Sequence, residues 1–182
     1  MKKFIIGAIA GATIMLMVIY CSTGSNQMKT WQTKKKDVIK WERLDTFWFS
    51  TPQYCVVYPD YFVADSSMLL NGNMKFDYEF EGHTISLRTF SIVNDGLWDR
   101  ETVADSIASY RAQLTNDTIT MIDMHPGYFY LEGHSKDNRY KFFEQYVIQK
   151  DYLYNFELAY SHELADEQIK QLKELVHEWS PK

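Results

Sequence analysis

Cysteine is scarce in this chain: Cys21 and Cys55 are the only two in 182 residues. Two thiols exclude a multi-disulfide scaffold and any zinc site built on four thiolates. Sequence signatures of catalysis are missing too. There is no GxSxG elbow, HExxH helix, CxxC pair, P-loop or GxGxxG fingerprint, and His162-Glu163 lacks a second His four residues on. No catalytic residue, metal ligand or cofactor is therefore assigned; an enzyme would need a pocket where three polar or titratable groups converge in space. Positive charge is also in short supply. The formal net charge is −5, with one short basic cluster at Lys34, Lys35 and Lys36. That balance argues against nucleic acid as a partner, because phosphate binding rests on clustered Lys and Arg. No repeat period and no low-complexity tract is present.

What is abundant is apolar and aromatic. Hydrophobic residues make up 46% of the chain and aromatic residues 16%, with 13 Tyr, 11 Phe and 5 Trp, so a packed core is expected. The length suits one globular domain behind a leader, ~100 to 200 residues being the usual domain size. Lys2 and Lys3 precede an uncharged apolar run from Phe4 to Tyr20, after which Cys21, Ser22, Thr23, Gly24 and Ser25 turn small and polar. As a helix the run would span about 26 Å at ~1.5 Å per residue, near the ~30 Å hydrocarbon core of a bilayer. Charge, apolar stretch and Cys in that order resemble a bacterial lipoprotein leader, which implies lipidation at Cys21. An uncleaved signal anchor and an ordinary cleaved signal are the alternatives. Tyr20 departs from the small residue that such leaders favour before the Cys. Lys29, Lys34, Lys35, Lys36 and Lys40 lie beyond the run and would hold the domain in the cytoplasm if the helix stayed uncleaved. Export is the expectation adopted, giving a membrane-anchored protein of the cell envelope with an extracytoplasmic domain. The chain then divides into a leader or anchor (1–21), a polar basic tether (22–45) and an α+β domain (46–182).

Within the domain, Phe47 to Ser50 and Gln53 to Tyr58 read as short strands around Pro52. Met74, Phe76, Tyr78 and Phe80 alternate with polar residues, and Glu81-Gly82 turns the chain into Thr84 to Ile92, a hairpin. In the return strand the apolar parity moves from Ile85 and Leu87 to Phe90 and Ile92, which predicts a bulge near Arg88 or Thr89. Val103, Ile107, Tyr110 and Leu114 form a helical stripe over Asp99 to Leu114. Four strands follow, at Thr118 to Met124, Tyr128 to Ser135, Arg139 to Gln149 and Tyr152 to Tyr160, with joints short enough to require antiparallel neighbours. Ile169, Leu172, Leu175, Val176 and Trp179 mark a last helix from Asp166 to Glu178. The expected fold class is α+β: a single, largely antiparallel sheet with one helix packed on each face, preceded by the N-terminal hydrophobic anchor or signal helix.

Candidate sites are few. Phe47, Trp48 and Phe49 fall on an expected edge strand and form the candidate partner surface, since Tyr and Trp are enriched where proteins meet. His125 and His134, with Asp123 and Glu132 nearby, could approach one another across a hairpin, although two histidines do not complete a metal site. Cys55 sits among Tyr54, Val56, Val57 and Tyr58 and reads as a buried core thiol. Asp99 suits a helix cap.

The Tyr58-Pro59 pair closing an early strand, the hairpin over Phe76 to Phe90, the Val103 to Leu114 helix and the aromatic meander from Tyr128 to Tyr160 together resemble the PsbP-like fold family. That family includes the DcrB-type envelope lipoproteins, and the resemblance covers about Phe47 to Trp179. It implies a non-catalytic binding or accessory domain and carries over no individual functional residue, because family members serve unrelated partners. The expected function is a membrane-tethered envelope binding or accessory protein, not an enzyme, with another envelope protein as partner. An envelope inhibitor or immunity protein against a secreted toxin is the alternative, acidity aiding capture of a basic partner, and a small hydrolase is the third.

Overall fold

The computed structural model describes residues 39–65, 67, 73–94, 99–149 and 151–181. The apolar leader, Cys21, Trp31 and the tether as far as Val38 lie outside the described residues, as do Asp95 and Gly96. Nine strands are described: β1 Leu44–Ser50, β2 Gln53–Pro59, β3 Val63–Asp65, β4 Met74–Phe80, β5 His83–Val93, β6 Thr118–His125, β7 Tyr128–His134, β8 Tyr140–Ile148 and β9 Tyr152–Ser161. Helix α1 (Arg100–Tyr110) runs straight into a π-helical turn at Arg111–Thr115, and α2 (Asp166–His177) follows β9. The packed domain includes part of the segment read as tether: Ile39 is buried, and its amide donates to the Gln168 carbonyl of α2 at 3.1 Å.

The α+β class is as expected, and seven strands form one antiparallel sheet in the order β3-β4-β5-β9-β8-β7-β6. The sheet is not single, however. Strands β1 and β2 pair only with each other, Trp48 opposite Cys55, as a separate two-stranded ribbon. The ribbon attaches through side chains: Phe49, Tyr54 and Val56 enter the core, and Trp179 beyond α2 donates its Nε1–H to the Cys55 carbonyl at 2.9 Å. A hairpin with one apolar face can bury that face on a neighbouring sheet without sharing its ladder.

Strand alternation divides the core in two. Tyr130, Phe143, Tyr154, Phe156 and Leu158 join Ile169, Leu172 and Val176 of α2 in one cluster. Phe129, Leu131, Phe142, Tyr146 and Leu153, the intervening positions on the same strands, join Val103 and Ala104 of α1 in the other. This division explains why the expected bulge in β5 is absent. The pairings of β5 with β4 and β9 run without a register shift from Ile85 to Val93, so the strand is regular. Ile85 and Leu87 lie in the α2 cluster whereas Phe90 packs on the α1 cluster. The parity change records a straight strand passing from one core to the other. An irregularity does occur in β6, between Ile119 and Met121.

Helix α1 starts as the sequence predicts: Asp99 is its N-cap, accepting from the Thr102 amide at 2.8 Å. Its apolar stripe does not hold to the end. Val103 is buried, but Tyr110 is 58% and Leu114 69% exposed. The inward line is Val103, Ile107 and Arg111, spaced i, i+4, i+8, and the residue that completes it is charged.

Candidate functional site

Two glutamates on the α1 side of the sheet create an electrostatic problem that Arg111 resolves. Glu144 of β8 and Glu157 of β9 stand directly opposite one another in the strand register, an arrangement of like charges that destabilises a sheet. Both are taken out of water, with side-chain exposures of 1% and 8%. The Arg111 guanidinium donates to Glu144, lies 3.4 Å from the Glu157 carboxylate, and donates from its other arm to Asp117 at 3.1 Å. Its plane also sits 4.2 Å over the Phe142 ring, a contact that a flat, weakly hydrated cation makes well.

The backbone around Arg111 is built to hold it there. Its carbonyl accepts from the Asp117 amide at 3.0 Å and from the Thr115 hydroxyl at 2.7 Å, and the amide of Asn116, in left-handed geometry at φ 57°, also turns back to it. Asn tolerates that region better than most residues because its short polar side chain can bond locally. π-helical turns of this kind occur frequently at functional sites. Tyr146 donates its hydroxyl to Glu144 at 3.0 Å, and Tyr140 donates to Asp117 at 3.2 Å. Arg88 of β5 lies 3.8 Å from the Glu157 carboxylate.

These surroundings shift the acids and bases. Burial first, and then the facing Glu157, push the Glu144 carboxyl up to about 8 against the opposing pull of Arg111 and Tyr146. Burial works against the charge on Arg111, but Glu144 and Glu157 outweigh it and raise its affinity for the proton. Burial and the Glu144 carboxylate drive the Tyr146 phenol well above its ordinary range. Burial thus favours the protonated form of Glu144 and the neutral phenol of Tyr146, while the two facing acids favour the charged form of Arg111.

Above this polar floor is a cavity of about 470 Å³ between α1 and the sheet. Phe90, Ile92, Val103, Ile107 and Leu153 make apolar walls, and exposed Tyr110 stands at the margin. Its size falls within the ~300–1,000 Å³ of small-molecule sites, and mostly apolar walls with a few convergent polar groups are their usual composition.

The residues singled out from sequence are placed elsewhere. On β1 the alternation divides the candidate partner surface: Phe49 is buried and stacked on Tyr54 at 4.3 Å, Phe47 packs edge-on to Phe76, and Trp48 alone presents its ring outward, 62% exposed. His125 and His134 do not meet. The tight Pro126-Gly127 turn sets His125 opposite Tyr128, while His134 pairs with Thr118 at the far end of the same hairpin. His125 bonds Asp123 at 3.0 Å and His134 contacts the Ser135 carbonyl. Cys55 is buried and unpaired, as its apolar neighbours predict. Sequence reading missed Arg111, Glu144 and Glu157. The available signal was a charged residue inside each of two apolar strands, Phe142-Phe143-Glu144 and Phe156-Glu157-Leu158.

No family model matches the sequence, and no curated protein matches it significantly. The solution structure of cyanobacterial PsbP (CyanoP) from Synechocystis sp. PCC 6803 is similar in fold, with a TM-score of 0.54 at 16% identity, covering 76% of this chain and 92% of that one. At that identity the likeness concerns fold alone, and it agrees with the element order and antiparallel sheet described above: the chain has a PsbP-like fold.

Proposed function

We propose that the chain is a non-catalytic accessory protein of the cell envelope, tethered to the membrane by its N-terminus, with one helix packed on each face of its sheet. Its ligand site is the cavity under α1. The observation that carries this reading is the combination of apolar walls with the buried Arg111, Glu144 and Glu157 floor in one cavity of about 470 Å³. A cavity lined this way, in a fold shared with an accessory-type protein, supports capture of a small apolar molecule or an apolar group of a partner.

Octan-1-ol added to the full chain in lipid nanodiscs, methyl-labelled at isoleucine, tests the site. The methyls of Ile92 and Ile107 should shift while those of Ile39 and Ile169, in the other core, stay still; no shift at Ile92 and Ile107 would reject the cavity as a ligand site. The tether is tested separately by the intact mass of the membrane-extracted protein beside a Cys21→Ala variant. A mature chain beginning at acylated Cys21 is expected, and an unmodified full-length mass would reject lipidation.

One observation favours a second reading, a small hydrolase. Titratable groups do converge in the cavity, and a carboxyl raised to about 8 could act as a general acid. Arg111, Glu144, Glu157 and Tyr146 are nevertheless bonded to one another, and none of them is a nucleophile set beside a base. Turnover of a chromogenic ester or glycoside by the wild type that Glu144→Gln abolishes would overturn the non-catalytic reading.

A further inference from the structure

The charge balance at the floor of the cavity bears on which ligand the site accepts, and this inference rests on the reading of the cavity as a ligand site. Glu144 and Glu157 line it, and Asp117, outside the lining, joins them through Arg111 as a third carboxylate. Two cations face them, Arg111 from the π-helical turn and Arg88 from β5, 3.8 Å from Glu157. Tyr146 and Tyr140 contribute neutral hydroxyls already donated to Glu144 and Asp117, and α1 presents only the uncharged Thr102 and Ser106. Phe90, Ile92, Val103, Ile107 and Leu153 make the apolar walls, so among the described residues this floor is the strongly polar surface a ligand meets.

We infer that the cavity takes an amphiphile with a cationic, hydrogen-bond-donating head and an apolar body, such as an alkyl or aralkyl ammonium, and excludes anionic amphiphiles of the same size. The geometry carries one carboxylate more than it has cations to match. Burial and the facing Glu157 favour a proton on Glu144 as the compensation for that excess. An ammonium entering beside Glu144 supplies the same compensation, and the displaced proton leaves to solvent. A carboxylate or phosphate head would instead face Glu144 and Glu157 across a floor whose guanidinium is already committed to three acceptors. Burying a like charge there carries a cost that discriminates against anionic heads. The volume, about 470 Å³, has room for a chain of about eight carbons or a small aromatic group.

The experiment compares octylammonium, octan-1-ol and octanoate on the full chain in nanodiscs, read by the Ile92 and Ile107 methyls with empty nanodiscs as the partition control. Octylammonium is expected to bind about tenfold tighter than octan-1-ol, with octanoate weakest. Glu144→Gln, which fixes the protonated shape without the charge, should remove the preference for octylammonium over octan-1-ol measured on the same variant. Equal or tighter binding of octanoate would overturn the charge inference while leaving the cavity a ligand site. Silence of both methyls toward all three compounds would overturn the cavity reading itself, and the charge inference with it. Should Glu144→Gln fail to fold, the ranking of the three compounds on the wild type still decides the question.

Discussion

Arg111 links three carboxylates that would otherwise face one another in a dry environment, so removing it tests the site at the scale of one residue. Arg111→Met keeps the apolar stem but leaves Glu144, Glu157 and Asp117 without their cation. Breaking a buried ion pair from one side costs about 3–5 kcal/mol, and urea unfolding should show a loss of that size. Adding Glu144→Gln to Arg111→Met should recover part of it, the signature of coupling within one network. Glu144 also makes a pH prediction with a definite sign. Its carboxyl is held at about 8 in the fold against an ordinary value of 4.5. Between those values the folded chain keeps a proton the unfolded chain has lost, so this contribution is present at low pH and disappears as pH rises through about 8. The urea midpoint of the wild type should therefore fall from about pH 5 to about pH 9 relative to that of Glu144→Gln, and parallel curves would contradict the assignment. These residues were only partly legible in the sequence. Glu144 and Glu157 stood out as charges inside apolar strands, but the cation that joins them comes from a separate helix, and no local pattern reports that pairing. The aromatic trio at Phe47, Trp48 and Phe49 shows the converse: conspicuous in sequence, it is split by strand alternation, which leaves Trp48 exposed.

At the scale of elements, the hairpin, the meander strands and the tight turns were read almost to the residue because alternation and Gly-containing turns are local signals, whereas the three-residue β3 was not read and β1 begins at Leu44 rather than Phe47. The Glu81-Gly82 turn, with both residues at positive φ of 52° and 81°, illustrates this. What sequence periodicity could not supply was the identity of the second layer. A parity change in β5 is equally what a bulge produces and what a straight strand produces when its two ends face different cores. In α1 the spacing i, i+7, i+11 led to Tyr110 and Leu114, whereas the inward line i, i+4, i+8 ends on Arg111, which a purely hydrophobic template discards. The meander offers an element-level test. A methyl group at Gly133 of β7 would come within 2.3 Å of the Thr118 carbonyl on β6 and 2.6 Å of the Phe142 ring on β8. Backbone on one side and a buried ring under Arg111 on the other leave little room to yield. Gly133→Ala should cost about 1–3 kcal/mol, the range for overpacking a core, measured as a lowered thermal midpoint. Leucine at Val63, which is 72% exposed on the short edge strand β3, should change that midpoint very little.

At the scale of the whole molecule, the β1–β2 ribbon is joined to the seven-stranded sheet by side chains rather than by a shared ladder. Trp179 is central to that junction: it is 8% exposed, contacts the rings of Tyr54 and Phe156, and donates to the Cys55 carbonyl. Trp179→Ala should destabilise the protein by about 3–5 kcal/mol, and hydrogen exchange should quicken first in Gln53–Pro59 while β8 and β9 stay protected. Uniform acceleration across both sheets would show that the ribbon and sheet open as one unit. The ribbon, the α2 core and the sheet leave the space under α1 as the place where apolar walls and a charged floor meet. Among the described residues no helix is long and apolar enough to cross a membrane, so the proposed tethering depends on the N-terminal segment, and ligand capture on the domain.

The most direct test of that account fills the cavity from within. Ile107 lines the space under α1, and Ile107→Trp would extend an indole into it while leaving Arg111 and the strands in place. Octan-1-ol binding to the full chain should fall at least about tenfold in this variant, with the cooperative thermal transition retained. Unchanged affinity in a folded Ile107→Trp protein would mean that the ligand binds elsewhere, and the cavity under α1 would lose its assigned role.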